Sequence, residues 1–264
     1  MAIVCRPVAG LRSLPGTGSE LLTQEVFGRA VEVLAERDGW IRCRLADGYE
    51  GWMAAGALLE GPEGDAGPED HRPGPPTHVV MRRFARVESD RYGLLMLPMG
   101  SHLCAEDTEG DSLKLTLPGG SRAHARREAL CPIESLPWDV GRFAEVAGEL
   151  MGTPYLWGGK STFGIDCSGL AQVAFEFFGC GLPRDSGDQA LQGERVDGLS
   201  ALCPLDLLFF GDADKIDHVA IHLRDLSMLH ASGHVRVESL SEASDLFRPD
   251  LLRRYRFARR FFHA

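Results

Sequence analysis

The sequence predicts an α+β chain in which two small β-barrels precede a mixed domain that packs a helix on an antiparallel sheet. Three observations carry this. Short β-like runs alternate with turn residues through the first half of the chain. A stretch over 61–76 holds five Pro and four Gly with almost nothing apolar. From Trp138 onward the apolar spacing becomes helical.

In the first 60 residues the runs Glu25 to Leu34, Trp40 to Leu45 and Gly51 to Met53 are separated by the turn pairs Asp38-Gly39 and Asp47-Gly48, the pattern of a small barrel. Residues 61–76, GPEGDAGPEDHRPGPP, cannot build a core and read as a linker. Over 77–135 the first pattern returns: Val79 to Val87, Leu94 to Leu97 and Leu113 to Leu117, broken by Pro98, Gly100 and Pro118-Gly119-Gly120, predict a second barrel. The third domain, 136–264, opens with a helix whose apolar positions Val140, Phe143, Ala144, Ala147 and Leu150 stop at Gly152.

The 264 residues, 44% hydrophobic and 25% charged, have the composition of an ordinary globular protein. A net charge of −10 with no dense basic cluster argues against nucleic acid and anionic membranes as partners. The apolar stretch at the start breaks after four residues, too short for a signal-peptide core, and no run approaches membrane-spanning length. Seven cysteines, odd in number, widely spaced and without a CxxC, indicate neither a disulfide framework nor a zinc ribbon. A reduced, cytoplasmic setting is therefore expected, and the chain is taken to be a monomer that needs no metal or organic cofactor.

Chemistry concentrates at Cys167. Leu170, Val173, Ala174, Phe177 and Phe178 fall on one face of a helix ending at Gly179, which places Cys167 at its N-terminus. There the unpaired N–H groups and the positive dipole end favour thiolate and can hold an oxyanion. A lone cysteine at such a position is more often a small buried hydrophobe; two histidines alter that balance. Asp217 to Leu223 alternate with period two, and Met228 to Ser232 follow a short polar turn, so the two segments read as a β-hairpin. In that hairpin His218 and His230 become diagonal neighbours on one face, within roughly 7–8 Å.

One imidazole can then act as base to the thiol while the other fixes its tautomer. The chain contains no asparagine, which rules out a Cys-His-Asn set. His222 lies about 13 Å along the strand from His218, too far for a shared metal. His222, His234, His71, His78, His102, His124 and His263 are read as solvated or internally satisfied.

These residues resemble the NlpC family of papain-like bacterial cell-wall cysteine peptidases. Gly152-Thr153-Pro154-Tyr155-Leu156-Trp157-Gly158-Gly159 is similar to the stretch before the family's nucleophile, and Asp166-Cys167-Ser168-Gly169-Leu170 to the nucleophile motif itself. Pro183-Arg184-Asp185-Ser186 with Gln189, Asp206 to Phe210, Asp217 to Ile221 and His230-Ala231-Ser232-Gly233 follow in family order. One departure is Leu205, where the family usually has glycine; a locally altered turn is expected.

The resemblance is nearest the YkfC-like group, in which bacterial SH3-like domains precede the peptidase. It implies a γ-D-glutamyl-diamino acid endopeptidase acting on murein peptides with a free N-terminal L-Ala, in peptide recycling. It implies Cys167 as nucleophile, His218 as base, His230 as orienting residue and Tyr155 at the oxyanion. Asp166, Ser168 and Ser186 would bind substrate, and Glu20 and Tyr49 from the first SH3-like domain would cap the pocket for the substrate's N-terminus. Each of the weaker assignments has a plainer reading: Glu20 as a solvated strand-edge charge, Tyr49 as barrel packing, Asp166 as a helix N-cap. Two other functions fit parts of the sequence, a wall-binding module with a silent third domain and an acyl or amide transferase using the same cysteine.

Overall fold

The computed structural model describes residues 1–60, 74–106, 110–212 and 215–262. Most of the predicted linker, residues 61–73, and with it His71, lies outside the described residues, as does His263. The chain divides into two compact units, one of Met1–Leu136 with Ser161–Phe163 and one of Pro137–Lys160 with Gly164–Ala264.

The first unit carries two seven-stranded antiparallel sheets. One holds β1 (Ala2–Val4), β2 (Val8–Arg12), β3 (Leu21–Val26), β4 (Ala30–Arg37), β5 (Trp40–Arg44), β6 (Glu50–Ala54) and β7 (Leu58–Glu60). The other holds β8 (His78–Val80), β9 (Phe84–Ser89), β10 (Gly93–Pro98), β11 (His102–Glu106), β12 (Ser112–Thr116), β13 (Arg122–Arg126) and β14 (Leu130–Pro132). Their orders correspond strand for strand: β3-β2-β6-β5-β4-β1-β7 and β10-β9-β13-β12-β11-β8-β14. The turn pairs sit where the sequence places them, with Asp38 at φ 50° and Gly39 at φ 77° closing the β4–β5 hairpin.

Two predicted runs are split. Glu25 to Leu34 is two strands because Gly28, at φ +78°, turns the chain between β3 and β4. Val79 to Val87 is likewise divided between β8 and β9. At Gly28 the backbone presses on the second sheet, where a Cβ would lie 1.9 Å from the His102 carbonyl oxygen. The His102 N–H donates to the Phe27 carbonyl at 2.8 Å. Phe27, 1% exposed, belongs to the core built by Val87, Leu97, Leu113 and Leu117 of the second sheet, not to the core of Val4, Leu11, Val31 and Met53 in its own.

The second unit is built on a six-stranded antiparallel sheet. Its helices are α1 (Phe143–Leu150), α2 (Cys167–Glu176), α3 (Ser186–Gln189) and α4 (Pro249–Arg254). A short hairpin of β15 (Lys160–Ser161) and β16 (Gly164–Ile165) leads into α2. The large sheet holds β17 (Glu194–Val196), β18 (Leu207–Asp212), β19 (Lys215–His222), β20 (Ser227–Ser232), β21 (His234–Ser239) and β22 (Tyr255–Arg260), in the order β17-β22-β18-β19-β20-β21. Leu207 to Phe210 are fully buried, as expected of a strand covered on both faces. The helix α2 is buried from Cys167 to Phe175 and fixes the position of Cys167 against the sheet.

Candidate active site

Helix α2 starts where it does because Asp166, in extended conformation, caps it: its Oδ1 accepts from the Gly169 N–H at 2.8 Å. The same carboxylate is saturated by protein donors. Oδ1 also accepts from Ser168 Oγ and from Arg184 at 3.0 Å, while Oδ2 accepts from the Gly158 N–H at 2.9 Å and from the second arm of Arg184. Arg184 reaches Ser168 Oγ as well, at 2.7 Å. The Asp166 and Arg184 side chains are 8% and 2% exposed, so this is a buried, bidentate and nearly neutral pair.

The glycines around Cys167 have a steric reason. A Cβ at Gly169 would stand 2.3 Å from the Gly159 carbonyl oxygen, and one at Gly159 would stand 2.5 Å from that of Gly164. The loop carrying Trp157-Gly158-Gly159 thus lies directly on the first turn of α2. Gln189 holds the helix from the other side, donating to the carbonyls of Ser168 at 3.1 Å and Pro183 at 2.8 Å. Ser186 is the first residue of α3 and is half-buried.

His218 on β19 and His230 on β20 meet as the hairpin register requires. Ile221 pairs with Leu229 and His222 with Met228, which sets His218 and His230 diagonally across the two strands. The His218 Nε2 lies 3.0 Å from the His230 Nδ1 with the rings nearly perpendicular. Beside His218 the β18–β19 register slips at Phe210/Gly211, and a Cβ at Gly211 would collide with the Lys215 carbonyl oxygen. Such a bulge re-aims the neighbouring side chain. The other nitrogen of His230, Nε2, lies 2.7 Å from Glu238 Oε2 on β21, which also accepts from Arg248. The Arg236 guanidinium stands 3.0 Å from Glu238 Oε1.

The electrostatics depart from the expectation of a ready thiolate. Cys167 is 8% exposed. Burial, reinforced by the Asp166 carboxylate, outweighs the amides of Val219 and Ser168 and the Arg184 charge, and pushes the thiol up to about 11. Burial, with the charges of His230, Arg254 and Arg248, pushes His218 down to about 3. His230 is lowered by burial despite the opposing pull of Glu238. All three shifts favour the neutral thiol and the neutral imidazoles in the free site. Burial and the nearby Cys167 and Asp166 raise Tyr155 to about 12, so its phenol keeps the proton it would donate to an oxyanion.

Cys167, Tyr155, Asp166, Ser168, His218 and His230 are thus gathered in the second unit around the start of α2. Glu20 and Tyr49 belong to the first unit. Glu20 is exposed just before β3, and Tyr49 is half-buried against the first barrel's core, with its N–H on Asp47 Oδ1 at 3.0 Å. His222 is held by the Cys203 carbonyl, to which its Nδ1 donates at 2.8 Å, while its buried Nε2 meets no hydrogen-bond partner among the described residues. Leu205, where a turn alteration was expected, takes φ +70°, the left-handed conformation suited to glycine, while its N–H donates to the His222 carbonyl at 2.8 Å.

Two residues that bear on the site, buried Arg184 and part-buried Glu238, are not singled out by the sequence. Arg184 was noticed only as part of a motif. Glu238 was not noticed, although a signal existed: Gly233 closes a tight turn that pairs His230 with Arg236, which puts residue 238 on the face of His230.

Residues 152–251 match the NlpC/P60 family, and residues 11–58 match the bacterial dipeptidyl-peptidase SH3 domain. A dipeptidyl-peptidase 6 from Lysinibacillus sphaericus is 30% identical over 95% of this chain and 95% of its own. A γ-D-glutamyl-L-lysine dipeptidyl-peptidase from Bacillus subtilis is 30% identical over 81% of this chain and 73% of its own. A crystal structure of an NlpC/P60 family protein from Bacillus cereus superposes with a TM-score of 0.85 at 22% identity, covering 98% of both chains.

Proposed function

The chain belongs to the NlpC/P60 family of cysteine peptidases, and we propose that it hydrolyses the γ-D-glutamyl-diamino acid bond of murein peptides that carry a free N-terminal L-Ala. The observation that carries the mechanism is the seating of Cys167 at the N-terminus of α2, with the Val219 amide at its sulfur and His218, bonded to His230, one residue away.

Because thiol and imidazole start neutral, attack and proton transfer are coupled. As Sγ bonds to the γ-carbonyl carbon of D-Glu, the thiol proton passes to His218 Nδ1, and the oxyanion takes hydrogen bonds from the Cys167 N–H and the Tyr155 phenol. The C–N bond then breaks as His218 returns that proton to the leaving amine. A water attacks the thioester with His218 again receiving one proton, that proton goes back to sulfur as the C–S bond breaks, and the γ-carboxylic acid so freed gives its own proton to solvent. The buried Asp166–Arg184 pair, with Ser168 Oγ bonded to both, supports a stiff pocket wall, and Ser186 is the polar group offered to substrate. Glu20 and Tyr49 are proposed to receive the substrate's ammonium. Seven free thiols support a reducing, cytoplasmic setting, and among the described residues no helix is long and apolar enough to cross a membrane.

The test is mass spectrometry of L-Ala-γ-D-Glu-L-Lys and L-Ala-γ-D-Glu-diaminopimelate after incubation with the protein, each with its amine free or acetylated. Release of the diamino acid from the free-amine peptides is expected. Acetylation removes the cation and should lower kcat/KM by roughly 30- to 5,000-fold. Intact peptides would overturn the substrate assignment, and equal cleavage of free and acetylated forms would overturn the roles of Glu20 and Tyr49 alone.

A further inference from the structure

Beyond the two histidines the hydrogen-bonded chain continues to an acid. His230 Nε2 lies 2.7 Å from Glu238 Oε2 and His230 Nδ1 lies 3.0 Å from His218 Nε2, so both nitrogens of a fully buried ring are committed. A carboxylate can only accept, which puts the His230 proton on Nε2 and leaves Nδ1 as a lone pair. That lone pair must receive a proton from His218 Nε2, and the remaining nitrogen of His218, Nδ1, is then unprotonated. A base that takes the thiol proton needs that tautomer.

The carboxylate is itself fixed. Arg248 donates to the same Oε2 while gripping Asp250 with its other two nitrogens at 2.9 and 2.7 Å, and its N–H is tied to the Ser239 carbonyl at 2.8 Å. Arg236 balances the other oxygen. Arg248 lies at the start of α4, so the acid is clamped between the edge strand β21 and that helix.

We propose that Glu238 is a positioning residue for the reaction: its carboxylate selects the tautomer of His230 and, through it, holds His218 Nδ1 free to accept the proton of Cys167. The inference rests on the assignment of Cys167 and His218 given above. It adds a fourth member, contributed by a third strand, to a set of three. An ion pair serving only to staple β21 to α4 would contribute to stability but would leave the imidazole protons where they were.

The experiment is nitrogen-15 NMR of the histidine rings in the full-length protein, together with steady-state kinetics. In the wild type, His230 should be protonated at Nε2 and His218 at Nε2, with both Nδ1 atoms unprotonated. Glu238→Ala should lower kcat about 10- to 100-fold at little-changed KM and scramble the His230 tautomer. Glu238→Gln, which keeps an acceptor oxygen, should restore the tautomer and most of kcat. A wild-type His230 protonated at Nδ1 would overturn the proposal without any variant, as would Glu238→Ala turning over within twofold of wild type. If instead Cys167→Ala or His218→Ala retained activity, the underlying assignment would fail, and that result is separate from the tautomer readout.

Discussion

His218 and His222 stand four residues apart on β19, and their surroundings assign them opposite work. His222 is 4% exposed, and its Nδ1 donates to the backbone carbonyl of Cys203, an acceptor that never changes its protonation. His218 is bonded to another imidazole, which is bonded in turn to a carboxylate. A proton arriving at His218 has somewhere to send its charge; one arriving at His222 does not. Residue type and strand periodicity are the same for both, so what a histidine does here is decided by what its ring is bonded to: a second imidazole for His218, a single backbone carbonyl for His222.

The sharpest test of that contrast removes the members one at a time. Cys167→Ala should lower kcat about ten-thousand-fold or more with the fold retained, since Ala is well tolerated at a helix start. His218→Ala should approach the same loss. His230→Ala, which removes orientation and not the travelling proton, should cost about tenfold less than His218→Ala. Steady-state kinetics on the peptide substrate decide the order, and a larger loss at His230 would exchange the two roles.

Reactivity of the unliganded thiol sharpens the comparison further. With Cys167 pushed up to about 11, its thiolate fraction falls about tenfold for each pH unit below that value. Iodoacetamide labelling of the Cys167 peptide, followed by mass spectrometry, should therefore be slow at neutral pH and climb steadily toward pH 10. A rate that is flat from pH 5 upward would mean a preformed thiolate–imidazolium pair.

On the other side of the contrast, His222→Ala should leave kcat within about twofold while costing about 1–3 kcal/mol, seen as a Tm lowered by several degrees. A large loss of kcat would place His222 in the chemistry after all. A further effect is on acid stability. The folded values of His218 and His230 lie below the unfolded one, so below pH 6.5, and for His218 down to about 3, the unfolded chain binds protons that the folded chain refuses. Stability from these rings is complete above about 6.5 and is lost as the pH falls. Tm should drop across that window, and His218→Ala should flatten the slope.

Much of the site was legible because it is local or follows from a ladder. Asp166-Cys167-Ser168-Gly169 lies before an unmistakable helical spacing, and the four residues between β19 and β20 set the register that joins His218 to His230. What was not legible depends on the interior dielectric or on contacts distant in sequence. The helix N-terminus read as an activator of Cys167, but the sequence does not state how deeply that end is buried, and burial dominates. Arg184 pairs with a carboxylate eighteen residues earlier, which no periodicity announces. In the barrels the runs Glu25 to Leu34 and Val79 to Val87 read as continuous because β propensity does not reveal a turn made by a single glycine or a change of strand.

Phe27 has a bearing on how such a chain can be altered over generations. A barrel that lends a large aromatic ring to its successor's interior is no longer a detachable cassette: excision at the linker would leave the downstream barrel with an unfilled socket, a defect of about 3–5 kcal/mol by the usual toll of emptying a Phe site. With Gly28 pressed on the His102 carbonyl, the two halves must also keep their backbones in register to a fraction of an ångström. Recombination that exchanges one barrel for a foreign copy would have to bring its own plug. The pair is thus expected to be inherited, lost or duplicated together.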